Sequence, residues 1–508
     1  MPQHPTSQGR GVREQTGLWL GPLVALCIQL IPIPEALTDV FIQQGQTLDE
    51  IQASARAAWV VLSLLALMAI WWVTEAIPIP VTALLPMVVL PLGGVVSIRD
   101  AAAEYLHPVV VLLLGGFIVA KAIERWNLHA RIALGVVVRV GARPSRLIGG
   151  FMLAAAVLSM WISNTATSIM MMPIALSVAA AVLGDRDLDS GFTWALLLGI
   201  AYSCSIGGLG TYIGTPTNLL IKDAIERSTG TEIDFVSWMM FGVPSVILLV
   251  PAAYFVLTRV AFRLPETANT SGQAEIRNRL AALGKMTTPE WRTISVFGVV
   301  AALWIFGRPL RDLTVFGMQP LGGLTDHVTA ILGVILCFIV PSGSKTEKGS
   351  SLLDWKTAES IPWGVVLLFG GGMSLAAVIR SSGLGDWVGT ELDVLATLPL
   401  ILLIALVTAI VIFTTEVTSN IATAAALMPV LVSVAETAGL DVVLLGAPVA
   451  LAASCAFMLP MATGPNAVAY ATGHVTLKTM ARAGIYLNLI AIALITLLAS
   501  VLAPIALG

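Results

Sequence analysis

Two oily stretches of this chain carry the same polar residues in the same order. Met160–Ala179 reads MWISNTATSIMMMPIALSVA, and Val417–Ala435 reads VTSNIATAAALMPVLVSVA. Ser-Asn, Ala-Thr and Met-Pro recur at one offset of 256 residues. A single hydroxyl in hydrocarbon usually bonds to its own helix. Ser163, Asn164, Thr165 and Thr167, matched by Ser419, Asn420 and Thr423, are clusters, and each separates two apolar runs. Ser and Asn are favoured helix N-caps. A helix broken there exposes the N–H groups of its second half and the positive end of its dipole. Two such ends, one per cluster, suit an anion near the membrane midplane. The freed carbonyls and the Ser, Thr and Asn oxygens suit a hard cation such as sodium. Neither stretch contains Lys or Arg, so the charge of an anion would be met by dipoles, hydroxyls and co-bound cations. Pro173 and Pro429, nine residues past each Asn, are candidate kinks in the helices that follow.

Two further pairs accompany the clusters. VVLLLGGFIVAKAI at Val110–Ile123 matches VVLLFGGGMSLAAVI at Val365–Ile379, at an offset of 255. IGTPTN at Ile213–Asn218 matches MATGPN at Met461–Asn466, at an offset of 248. In the second pair Pro and Gly interrupt the helix, and small residues let backbone approach a ligand; a plain structural kink is the alternative. The first pair is short for a span and is flanked by breakers. The expectation is a re-entrant hairpin at 108–128 and another at 362–385, with ordinary short spans as the alternative.

These elements sit in a membrane chain. Of 508 residues, 57% are hydrophobic and 11% charged, with mean hydropathy +0.90, against about a quarter charged in soluble domains. Long continuous apolar runs indicate helices rather than a membrane barrel. The expected fold is an all-α polytopic membrane protein with about 11 transmembrane helices plus the two hairpins. The three ordered pairs define an internal repeat, and repeats in membrane chains usually mean transporters, often of inverted topology. The expected organisation is a cytoplasmic N-terminal segment at 1–16, a first repeat at 17–262, a polar connecting loop at 263–290 and a second repeat at 291–508. Arg263, Arg277, Arg279 and Lys285 place the connecting loop in the cytoplasm, and Glu275–Leu283 is a candidate interfacial helix. No cleavable signal peptide is evident.

The net charge of −3 gives no reason to expect nucleic acid. Cys27, Cys204, Cys337 and Cys455 are far apart and read as small core residues. No metal-ligand or paired-acid spacing joins the histidines, and no polar segment is large enough for a catalytic domain, so an enzyme is not expected. Glu75 and Glu416 lie near apolar segments, and Glu416 reads as support for the Ser-Asn motif beside it. A channel is disfavoured, because broken-helix repeats point to alternating access.

Taken with WWVTEAIPIPVTALLPM at Trp71–Met87, the motifs resemble those of the divalent anion/sodium symporters, carriers of succinate, citrate and sulfate. The resemblance runs from about Gly17 to Leu507. It implies a homodimer in the cell membrane, with a fixed scaffold and a mobile transport domain working as an elevator. It implies that Ser163, Asn164, Thr165, Thr215, Ser419, Asn420, Thr463 and Gly464 face the substrate. One sodium site would use Ser159, Ser163, Asn164 and the Gly214 carbonyl. The other would use Thr415, Thr418, Asn420 and the Ala462 carbonyl. The expected activity is sodium-coupled symport of a succinate-like di- or tricarboxylate; a sodium-independent exchanger and a sulfate carrier of the same fold remain alternatives. Two residues depart from the repeat or the family pattern. Ile421 stands where the first motif has Thr165. Lys121 stands where the second repeat has Ala376; either it snorkels from a helix end, or its ammonium substitutes for a coupling cation.

Overall fold

A computed structural model describes residues 11–141, 143–183, 188–264, 270–392 and 398–508. Most of the expected N-terminal segment therefore lies outside the described residues. The helix Val12–Leu30 begins inside it. Among the described residues there are helices and two isolated β-bridges, Val315 with Met318 and Pro341 with Ser351.

Nine helices among the described residues are long and apolar enough to cross a bilayer, or ten if the bent pair Val12–Leu30 and Glu35–Gln43 forms one span. Eleven were expected, and the difference lies in short apolar helices. Pro144–Ser159 and Leu400–Thr415 have 16 residues each, and Val442–Ala452 has 11. Sixteen residues rise about 24 Å, short of a hydrocarbon core of about 30 Å. The first two stop where a Ser-Asn motif interrupts them.

The same order of elements occurs twice. Pro108–Arg125 corresponds to Trp363–Ser381. Leu128–Val137 corresponds to Leu384–Glu391, and each is entered through a left-handed residue, Asn127 or Gly383. Pro144–Ser159 and Asn164–Leu183 correspond to Leu400–Thr415 and Asn420–Thr437. Gly191–Gly207, Pro216–Thr229 and Phe235–Phe255 correspond to Val442–Ala452, Gly464–Ala471 and Leu477–Val501.

The expected re-entrant hairpins at 108–128 and 362–385 are not hairpins. Each segment holds one uninterrupted helix, of 18 and 19 residues. The glycines within them serve close packing instead: a Cβ on Gly115 would stand 2.8 Å from that of Ala330. A hairpin does form in the first repeat, one element later, and its tip is the Ser-Asn motif. Pro144–Ser159 leads up to Met160–Ser163 and Asn164–Leu183 leads away. The outer ends of these two helices meet again: a Cβ on Gly272 would lie within 3.5 Å of both Leu147 and Val178. Gly272 belongs to Thr270–Ala282, the helix expected at Glu275–Leu283. Its Arg279 donates to the Ser177 hydroxyl.

The chain divides into two compact units. One combines the described parts of Met1–His107, Trp363–Leu398 and Ile421–Leu440. Here Gly17 and Gly21 let Val12–Leu30 lie directly on Leu48–Thr74, against Thr74 and Trp71. This is close packing by small residues four apart. The Trp59 indole donates to the Ile28 carbonyl at 2.7 Å. Leu48–Thr74 starts with a Thr47/Glu50 capping box and ends at Glu75, which is exposed with φ 52°. Gly370 and Gly371 admit Tyr105 and Ala83, and the Tyr105 hydroxyl bonds the Ala83 carbonyl. The other unit combines Pro108–Pro362, Pro399–Asn420 and Asp441–Gly508. Gly191–Gly207 runs through its interior, with every residue but Gly191 and Trp194 buried. Cys204, Cys337 and Cys455 are buried as expected, whereas Cys27 is exposed.

Candidate functional site

Every residue expected to touch substrate or sodium lies in the second unit. The helices Asn164–Leu183, Pro216–Thr229, Asn420–Thr437 and Gly464–Ala471 all begin at these motifs. The sequence forces these starts: Thr215 and Thr463 have extended backbone and are followed by Pro within the first turn, a position where a missing N–H costs nothing.

At the hairpin tip, the buried Ser159 hydroxyl donates to Asn164 Oδ1 at 2.5 Å. Ser163 is exposed, and its carbonyl accepts the Thr167 N–H at 3.0 Å. A Cβ on Gly208 would stand 2.8 Å from Asn164 Oδ1 and 3.2 Å from the Gly214 carbonyl oxygen. A side chain at position 208 would push on the Asn164 amide, so Gly208 lets the Asn164 side chain and the Gly214 carbonyl come to one place. Ser159, Asn164 and Gly214, three of the four members of the first expected cation site, are thus assembled. Thr165 presses its hydroxyl against Gly464, which joins the first Ser-Asn motif to the second-repeat loop.

The neighbouring hydroxyls form a chain. Thr215 Oγ lies 3.3 Å from Thr217 Oγ, which lies 3.4 Å from Ser454 Oγ. Thr463 Oγ accepts the Asn466 N–H at 3.3 Å as a helix cap.

The second expected cation site is less tightly knit. The Thr415 hydroxyl donates to the Ile412 carbonyl at 3.0 Å and the Thr418 hydroxyl to the Thr414 carbonyl at 2.8 Å. Both keep lone pairs able to face a cation. Asn420 Oδ1 is buried and makes no hydrogen bond within the protein. Ser419 is half-buried, and Ala462 is 5% exposed with its N–H on the Leu459 carbonyl. Among the described residues no hydrogen bond joins Asn420 to Thr463 or Gly464.

The support expected from Glu416 goes to the loop that precedes Ala462. It is 4% exposed, and its carboxylate accepts the N–H groups of Phe457, Met458 and Leu459 at 2.8–3.1 Å and the Asn488 amide at 2.7 Å. The non-helical stretch before Ala462 is thereby fixed to the residue that follows Thr415. Asn488 was not foreseen, since it stands alone in a long apolar helix; a lone amide there was the available signal. Tyr202, also unforeseen, donates to the Phe457 carbonyl at 2.8 Å. Asn218 and Asn466, the last residues of the paired motifs, do identical work. Each amide nitrogen donates to the carbonyls ten and seven residues back: Gly208 and Thr211 for Asn218, Ala456 and Leu459 for Asn466.

Lys121 is paired with Glu124 at 2.7 Å. Its ammonium is already matched by a carboxylate one turn away, which leaves the alternative of a substitute cation without an uncompensated charge to exploit.

Known proteins agree with this architecture. A Staphylococcus saprophyticus protein named sodium-dependent dicarboxylate transporter SdcS is 38% identical over 505 residues, covering 98% of this chain and 93% of that protein. Its Staphylococcus aureus namesake is 40% identical over 498 residues, covering 97% and 92%. Two solved transporters share the fold at low identity. YdaH of Alcanivorax borkumensis gives a TM-score of 0.57 at 16% identity, covering 88% of this chain and 97% of its own. MtrF of Neisseria gonorrhoeae gives 0.55 at 17%, covering 80% and 83%. The family model described as the sodium:sulfate symporter transmembrane region matches residues 49–506. This multi-pass membrane protein therefore belongs to the sodium:sulfate symporter family, the divalent anion/sodium symporters that its paired motifs resemble.

Proposed function

We propose that the protein is a secondary transporter of the cell membrane that couples sodium entry to uptake of a small dicarboxylate such as succinate. The observation that carries this reading is the meeting of Ser159, Asn164 and the Gly214 carbonyl around Gly208, with Thr165 against Gly464. Neutral oxygens gathered at helix N-termini fit a hard cation and, beside it, an anion. The naming of the SdcS relatives as sodium-dependent dicarboxylate transporters supports the same substrate and ion.

In this reading sodium binds first. It binds the Gly214 and Ala462 carbonyls and supplies the positive charge that the motifs lack. Ser163, Thr165, Thr215, Ser419, Asn420, Thr463 and Gly464 then face the carboxylates. Charge neutralised in this way lowers the cost of carrying the loaded site across the membrane. The two repeats are taken to be of inverted topology, the motion an elevator displacement, and the assembly a homodimer.

Labelled succinate uptake into proteoliposomes tests the reading, with an inward sodium gradient and then with potassium in its place. Uptake driven only by sodium is expected. Uptake that ignores sodium and requires succinate inside would make the protein an exchanger; competition by sulfate alone would make sulfate the cargo.

A further inference from the structure

We infer that Tyr212 is a positioning residue for the first cation site, fixed by Asp326 and Lys222; the inference rests on the sodium-coupled reading above. The two repeats present equivalent loops, 209–215 and 457–463, and they secure them by different devices. In the second repeat the Glu416 carboxylate takes the N–H groups of Phe457, Met458 and Leu459. Pro460 follows and stiffens the chain. In the first repeat Met160 stands where Glu416 would be, and Tyr212 stands where Pro460 would be. A thioether cannot gather three backbone N–H groups, so the first loop needs another hold.

Tyr212 supplies it from three directions. It is fully buried, and its hydroxyl donates to the Asp326 carboxylate at 2.5 Å. Lys222 Nζ lies 5.6 Å from the centre of its ring, a cation over an aromatic face. The edge of the ring packs on Phe235 at 5.0 Å. Each of these partners is held in turn. The Lys222 side chain is 3% exposed and pairs with Glu226 at 2.6 Å. Glu226 also accepts the Ile233 N–H at 2.7 Å. Phe235 is stacked with Trp304, whose indole donates to the Asp326 carbonyl at 3.1 Å. Phe235 also stacks with Trp161 at the hairpin tip.

The loop on both sides of Tyr212 belongs to the site. Thr211 donates its hydroxyl to the Met160 carbonyl of the tip at 2.6 Å. Gly214, two residues on, offers the carbonyl beside Asn164. A carbonyl used as a cation ligand must be held in place before the ion arrives, or binding must supply the ordering. Lys222 is buried and Glu226 and Asp326 are half-buried, and ions placed in an apolar unit are costly unless they are paired and held.

The test uses full-length protein with Tyr212→Phe, which removes only the hydroxyl, and Asp326→Asn, which keeps the shape. Succinate uptake by proteoliposomes is followed against external sodium, and the unfolding midpoint of the purified protein is followed with and without sodium. Half-saturating sodium is expected to rise about ten-fold, the scale on which supporting groups of metal ligands act, with maximal uptake held within about two-fold. The double variant is expected to match the larger single effect, because both act through one hydrogen bond. An unchanged sodium curve in both variants overturns the inference. So does a midpoint lowered equally with and without sodium, the mark of a merely structural role. If Tyr212→Phe does not fold, Asp326→Asn alone decides. Wild-type uptake indifferent to sodium would instead sink the functional reading, so the two failures are separable.

Discussion

The Thr165 hydroxyl occupies the space that a side chain on Gly464 would need. This contact ties the first Ser-Asn motif to the loop of the second repeat, two positions 299 residues apart in sequence. Gly464→Ala forces a methyl group into that space, and overpacking of this kind costs about 1–3 kcal/mol. Uptake per folded molecule is expected to fall at least about ten-fold. Adding Thr165→Ala should return the thermal midpoint toward wild type without restoring uptake, since the hydroxyl is then missing.

Asn164→Ala and Asn420→Ala are each expected to abolish sodium-driven uptake while the protein remains folded. Asn164 Oδ1 holds the Ser159 hydroxyl, and Asn420 Oδ1 has no partner to lose. Asn420→Ala therefore removes a buried unsatisfied group and is expected to leave stability unchanged or slightly raised. Normal uptake by both variants would show that the site lies elsewhere.

Glu416→Ala should behave differently. It strips the acceptor from three backbone N–H groups and from Asn488. Buried donors left without partners cost about 1–3 kcal/mol each. A large fall in thermal midpoint and in membrane yield is expected. Glu416→Gln, which presents an amide donor to some of those N–H groups, should recover little of it.

Lys121→Ala is expected to leave both the sodium dependence and the maximal rate of uptake unchanged, because Glu124 already pairs with the ammonium. Loss of sodium coupling in this variant would revive the lysine as a substitute cation.

In the other unit, Gly17→Val should lower stability and leave half-saturating sodium where it was. Gly17 packs directly on Thr74, and the added volume separates two helices at a cost of about 1–3 kcal/mol. Thermal unfolding together with a sodium titration of uptake checks both halves of the statement.

The membrane class and the family were legible in the sequence. Each is written in residue type: a low share of charge, a recurring order of Ser-Asn and Thr-Pro or Gly-Pro, and offsets that barely drift. The starts of the site helices were legible for the same reason, since Asn164, Asn420, Pro216 and Pro465 mark local backbone chemistry. The hairpin was misplaced because glycine says only that something comes close. In Pro108–Arg125 what comes close is a neighbouring helix at Ala330, not a reversal of the chain.

Only the tertiary structure decided which of these residues meet. Gly208 gathers Asn164 and Gly214, Gly464 receives Thr165, and Glu416 reaches Phe457, Met458 and Leu459 across 41 to 43 residues. Sequence periodicity cannot report such meetings, because they depend on how close two backbones come once the helices are packed. That closeness is set by the absence of a side chain at one position and the presence of an oxygen at another, distant one.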